Sequence, residues 1–158
     1  MISENNYPWQ EEKVVRHSQL MVSSYQRWTG KTLFNTTGSP KEIAQELFEA
    51  DFALVSHGIE ADPIFNYANR KALLLWELDW EDFTSMPSRK SAEELVQEER
   101  NRLLAETTAQ GFSNFSGVRI SSSGKRFHIE DGIIWNLLDK ENKYCGQAAI
   151  YSNYKFLD

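Results

Sequence analysis

The chain has 158 residues, of which 41% are hydrophobic and 13% aromatic, enough apolar material for one domain with a core of its own and too much for a disordered polymer. Its formal net charge of -6 opposes phosphate backbones and anionic bilayers, so neither sequence-independent nucleic-acid binding nor membrane-surface binding has electrostatic support. A single cysteine, Cys145, excludes an internal disulfide and a multi-cysteine zinc site.

The first residues, MISENNYPWQEEK, lack a basic and then apolar leader, and the longest apolar run, Ala72 to Trp76, is far short of a bilayer span, so a cytoplasmic protein is expected. From Tyr7 to Trp28 the apolar residues Val14, Val15, Leu20, Met21, Val22, Tyr25 and Trp28 recur among charged ones at helical spacing. The Gly, Thr, Ser and Pro-rich stretch 29–40 reads as an irregular connection, and Lys41 to Glu49 as a helix. Residues 1–40 are therefore expected to form an N-terminal helical extension, and 41–158 the main domain. About forty residues seldom hold a core alone, so this extension needs cover from the main body or from a second subunit.

Phe52 to Ser56 predicts a short apolar strand closed by Gly58, and Asp62-Pro63 a turn before a second strand at Ile64 to Tyr67. Asn69 is placed to cap a helix carrying Ala72, Leu73, Leu75 and Trp76, with a further helical turn around Asp79 to Phe83. Ser91 to Glu94 has the form of a capping box, predicting a long helix with Leu95, Val96, Leu103 and Leu104 on one face, the EERNR run on a solvated face and Gly111 as its stop. Three strands joined by tight turns follow, an antiparallel meander over FSNFSGVRI, RFHIEDGIIWNLLD and YCGQAAIYSNYKF. In the middle strand Phe127, Ile129, Ile133, Trp135 and Leu137 are expected on one face, while Ile134 and Leu138 make the other face apolar too. Something must then cover that second face, either the N-terminal helix or a dimer partner.

The order strand, short strand, short helix, long helix and three antiparallel strands is that of a PAS-like fold. From about Leu47 to Phe156, and most clearly in LFEADFALVSHGIEADPIFNYANRKALLLWELDWEDFTSMPSR and SGVRISSSGKRFHIEDGIIWNLLDKENKYCGQAA, the chain resembles the MEKHLA domain, a PAS-related module. The resemblance implies an α+β fold: a five-stranded antiparallel sheet with short helices on one face, in many cases enclosing a small-molecule cavity, with flanking helices that mediate dimerisation. It implies a regulatory and interaction-based role without enzymatic activity. A homodimer is expected, or docking to a separate regulatory protein. The Asn-Cys-Arg-Phe-Leu stretch of light-sensing flavin domains is absent, which argues against a covalent flavin adduct, and the helix from Ser91 to Gln110 has no histidine to hold haem. A noncovalent flavin, a carboxylate or another small metabolite stays open.

The residues offer few sites for chemistry. His57, Glu60 and Asp62 could in principle hold a cation or act as an acid-base pair, as a small cone-shaped α+β isomerase or hydrolase would require, but a Gly and Asp-Pro loop needs polar residues for its own turns. His17 is expected to be exposed, and His128 to be at the sheet surface. No G-x-S-x-G, G-x-G-x-x-G or G-x-x-x-x-G-K pattern occurs, and SSSGK reads as a hairpin loop. No catalytic or metal-ligating residue is assigned. Arg119, alone in VRISSS, would fork onto a carboxylate ligand if it points inward and would merely solvate the sheet if it points outward. With it, Asn66, Asn69, Trp135, Gln147 and His57 are the candidates for lining a pocket. A dimerisation module without any ligand is the competing reading, favoured if aromatic side chains fill the interior completely.

Overall fold

In the computed structural model, which describes residues 7–34, 37–93 and 96–157, a short 3-10 turn at Pro8–Gln10 leads into α1 (Glu12–Thr29). Helix α2 (Pro40–Glu49) follows, then strands β1 (Ala53–His57) and β2 (Phe65–Ala68). Helices α3 (Arg70–Trp76), α4 (Trp80–Phe83) and α5 (Gln97–Gln110) connect them to the long strands β3 (Phe112–Ile120), β4 (Arg126–Leu138) and β5 (Tyr144–Tyr151), and to β6 (Asn153–Phe156).

The strands form one antiparallel sheet in the order β2-β1-β5-β4-β3, with β6 pairing on β4. This is the five-stranded sheet implied by the resemblance, extended by a sixth strand. Strand β6 continues β5 in the same register on β4, since Ile133 faces Ile150 and Glu130 faces Asn153.

Local chemistry explains the helix ends. Ser39 caps α2 through a reciprocal box, its hydroxyl accepting from the Glu42 N–H while the Glu42 carboxylate accepts from the Ser39 N–H. Asn69 starts α3 as expected, and its side chain does more: Oδ1 accepts from the Ala72 and Leu54 amides while Nδ2 donates to Leu47 and Phe52 carbonyls. It thereby ties α2, β1 and α3 together. The capping box anticipated at Ser91 does not start α5. Ser91 lies in a 3-10 turn with its hydroxyl donating to the Ser88 carbonyl, α5 begins at Gln97, and Glu94 and Leu95 lie outside the described residues.

The expectation for β4 needs a correction. Glu130 and Asp131 stand opposite the single residue Ser116, and Asp131 takes a left-handed φ of 56°, so β4 carries a bulge that reverses its side-chain alternation. Phe127 and Ile129 face the α3–α4 side, whereas Ile133, Trp135 and Leu137 face α1. They do not share a face.

Each face of the sheet thus has its own core. One cluster joins Val55, Phe65, Ala72, Trp76, Phe83, Phe127, Ile129 and Tyr151 beneath α3 and α4. The other places Leu54, Tyr67, Trp135, Leu137 and Ala148 against Val14, Met21 and Tyr25 of α1. Helix α1 of the same chain therefore covers the outer face, one of the two covers expected for it. Trp135 Nε1 donates to the Met21 carbonyl, Trp28 Nε1 to the Asn136 carbonyl, and the Ser24 hydroxyl accepts from the Leu138 amide. Among the described residues no helix is long and apolar enough to cross a membrane.

Candidate functional site

The inner face of the sheet is set by the register of β1 and β5: Ala53, Val55 and His57 stand opposite Tyr151, Ala149 and Gln147. Helix α5 lies over this face, burying Arg100 and Thr107 and turning the part-buried Leu103 and Leu104 toward it. Two side chains of α5's carboxyl end anchor it: Thr107 donates to Ser113 Oγ, and Thr108 Oγ1 and the Leu104 carbonyl both accept from Gln147 Nε2. Between α5 and the sheet the packing is incomplete. A chamber of about 60 Å³ remains, walled by Val55, Phe65, Ile129, Ile134 and Ala149 and by the polar residues His57, Trp76, Tyr151, Arg100 and Arg119. Outside it, past Leu103 and Phe115, a vestibule of about 240 Å³ opens between α5 and β3. Arg100 and Arg119, with Leu103 and Phe115, line both, so they stand at the boundary between them.

Residues of the chamber wall carry polar atoms without partners. His57 Nε2, Trp76 Nε1 and Tyr151 Oη are buried and make no hydrogen bond within the protein. His57 donates through Nδ1 to the Gly58 carbonyl, which leaves Nε2 as an acceptor in the neutral ring. Burial is the main cause that holds its pKa below the ordinary histidine value, and the Arg100 charge lowers it further. Gln147, its register partner, lies near enough to offset part of that lowering, though Nε2 has no hydrogen bond within the protein. Burial likewise drives the Tyr151 hydroxyl far up, so it stays protonated. Leaving such a buried group unpaired costs about 1–3 kcal/mol, and sites of this kind call for an explanation.

The two guanidiniums add charge to this wall. Arg100 is 7% exposed, donates to Ser88 Oγ, and has its pKa lowered to about 10 by burial first and by Arg119 next. Arg119 points inward, donates to the Val118 carbonyl and lies 6.0 Å from the Phe115 ring centre, with its pKa also lowered by burial. Neither forms an ion pair among the described residues, although Asp62 and Glu99 lend them some long-range support. Asp62 itself pairs with Arg89 at 3.1 Å.

Of the six pocket candidates from the sequence, the structure brings His57 and Arg119 into the chamber wall, with Gln147 just behind it. Asn66, Asn69 and Trp135 point elsewhere. Asn66 accepts from Ser56 on the outer face, where it lines a separate cleft of about 370 Å³ with His17 and Tyr67, Asn69 is consumed by its four backbone contacts, and the bulge in β4 turns Trp135 onto α1. The His57, Glu60 and Asp62 grouping is dispersed, since Glu60 accepts from the Ile64 amide and Asp62 holds Arg89 while His57 turns inward. No cluster of three metal-ligating side chains occurs among the described residues. The SSSGK turn is engaged by Glu77, whose carboxylate accepts from Ser121 and Ser123 and pairs with Lys125 at 3.7 Å. Cys145 belongs to the α1-side cluster, away from the chamber.

Two residues escaped the sequence reading. Arg100 sits within the charged run assigned to a solvated face, and only its three-residue spacing ahead of Leu103 hinted that it could turn inward. His17, expected to be exposed, is half-buried instead: Ser56 Oγ donates to Asn66 Oδ1 and faces His17 Nε2 at 2.8 Å, while burial lowers the imidazole pKa to about 4.

Known structures share this architecture. A PAS domain of a Colwellia psychrerythraea protein superposes with a TM-score of 0.63 at 13% identity, covering 74% of this chain and 95% of that one. The photo-excited blue-light photoreceptor Vivid covers 97% of this chain and 99% of its own, with a TM-score of 0.58 and 9% identity. An RNA-binding light-oxygen-voltage receptor also superposes at 0.63 and 14% identity over 81% of this chain, which spans 35% of that longer protein. At such identities the likeness is one of fold. No curated protein matches the chain. The MEKHLA domain model matches residues 15–156, beginning inside α1 and running through β6, so the chain belongs to the MEKHLA domain family and has a PAS-like fold.

Proposed function

We propose that this protein is a PAS-like regulatory or sensory module that holds a small molecule, noncovalently, in the chamber between α5 and the sheet. The observation that supports it is an unfilled space lined by three residues, His57, Trp76 and Tyr151, each of which carries a buried side-chain polar atom that nothing in the protein satisfies. An interior meant only for packing pairs its buried polar atoms, as Trp135, Trp28 and Ser24 are paired under α1. A bound molecule satisfies the orphaned groups and so favours the arrangement in which α5 is seated. Because α5 buries only Arg100 and Thr107 fully and lines the chamber, its position is one a ligand can bias. The shift would be passed to a second copy of the chain or to a separate regulatory protein. This is a binding role.

Native mass spectrometry of the purified protein beside its denatured mass tests this reading. Mass that is lost on denaturation supports it, and the same spectrum reports monomer or dimer. A bare chain that also fails to take up any added small molecule would sink it and leave the dimerisation module as the better account.

A further inference from the structure

We propose that the chamber's ligand is a small organic carboxylate, its carboxylate held between Arg100 and Arg119 at the boundary with the vestibule and its short apolar body directed inward. The proposal rests on the chamber being a ligand site and names the chemistry that site selects. Two half-buried to buried guanidiniums face one opening, each with a single hydrogen bond to the protein and neither with a carboxylate partner among the described residues. A guanidinium has five N–H donors in a planar fork, so most of the hydrogen-bonding capacity of both is unspent. Like charges placed together in a desolvated site oppose folding unless an anion joins them. The lowering of the Arg100 pKa by the nearby Arg119 charge agrees with this geometry.

The remaining walls narrow the class. Inward of the arginines the surface is Val55, Phe65, Ile129, Ile134 and Ala149, and about 60 Å³ has room for only a few heavy atoms. That suits a short aliphatic body better than a sugar or a nucleobase. Outward, the vestibule mixes Glu99 and Glu106 with Arg102, so its outer part offers a polyanion such as a nucleotide no concentrated positive charge. His57 and Trp76 also line the chamber, and a small side-chain adjustment that turned the unpartnered Nε2 acceptor or Nε1 donor toward it would favour a hydroxyl on the ligand's apolar part.

The test is a titration of the whole chain with butyrate, 3-hydroxybutyrate, butyramide and inorganic phosphate, followed by calorimetry and by thermal melting, in the wild type and in Arg119→Gln. The carboxylates are expected to bind saturably, with the hydroxy acid tighter, while butyramide does not bind. Arg119→Gln should weaken carboxylate binding at least about 10-fold, as expected for the loss of a charge-assisted fork, while leaving the unliganded melting temperature unchanged or higher. Arg119→Lys, which keeps the charge but loses the fork, gives the same direction with a smaller loss and stands in if the Gln variant does not fold. Butyramide binding as well as butyrate, phosphate binding where carboxylates do not, or undiminished binding in both variants would each overturn the carboxylate assignment while leaving the chamber as a ligand site. If none of the probes binds and native spectra show no cargo, the assignment and the ligand-site reading fall together.

Discussion

The two faces of the sheet are built to different standards. On the outer face, under α1, polar side chains are matched across the interface: Trp135 with the Met21 carbonyl, Trp28 with the Asn136 carbonyl, Ser24 with Leu138, and His17 with Ser56 and Asn66. Tyr67 Oη is the exception there, buried without a partner. On the inner face, under α5, His57, Trp76 and Tyr151 have unmatched atoms, and Arg100 and Arg119 line unfilled space without an ion pair among the described residues. One sheet, with the same strands, supplies both. The contrast teaches that α1 is there to complete the fold, whereas α5 closes a site whose polar groups await something that is not protein.

If that contrast holds, the largest effect comes from the outer face. Trp135→Ala should destabilise the protein by about 4 kcal/mol in urea unfolding, since it opens a cavity beside Tyr25 and frees the Met21 carbonyl. A loss below about 1 kcal/mol would show that α1 contributes little packing.

Acid should act next. His17 has a folded pKa of about 4 against an ordinary 6.5, so its share of stability is present above pH 6.5 and is lost as pH falls from 6.5 toward 4. His57 is shifted in the same direction by its own burial. The groups that share pockets with His17 are Lys13 and Arg16 of α1, Tyr67 of β2, and Asp139 and Lys140 of the β4–β5 turn. Because His17 keeps some solvent contact, a change of about 2 kcal/mol is expected over that window. His17→Gln should flatten the slope in part, and a pH profile identical to that of the wild type would remove His17 from the account.

Smaller effects separate the faces more finely. Ser39→Ala should cost about 1 kcal/mol by removing the α2 cap and should leave ligand binding untouched. Arg119→Gln should have the opposite sign, stabilising the unliganded chain by up to about 1 kcal/mol because it relieves a desolvated, unpaired charge beside Arg100.

Much of this architecture was legible in local sequence signals. Asn69, Gly111 and the tight turns between the long strands marked element ends through chemistry that acts within a few residues. What was not legible depends on residues distant in the chain. The bulge at Asp131 is invisible to a period-two reading, and one inserted residue moved Trp135 and Leu137 to the opposite face from Ile129. Ser91 looked like a cap because the Ser88 carbonyl that claims its hydroxyl could not be foreseen. Arg100 was hidden in a charged run for a similar reason: a helix pattern tells which residues share a side, but not that the apolar side will close over a chamber that can accept a cation. Arg119 stood out because it was the one charge in a strand of apolar and hydroxyl residues, and its direction needed the sheet.

The urea midpoint of Arg119→Gln against wild type, each with and without saturating butyrate, puts the contrast between the two faces to the most direct test. The account predicts that the variant is at least as stable as the wild type without butyrate and gains much less from adding it. A variant that is less stable alone, and that butyrate stabilises as much as it does the wild type, would mean that Arg119 is a structural residue and the inner face an imperfectly packed core.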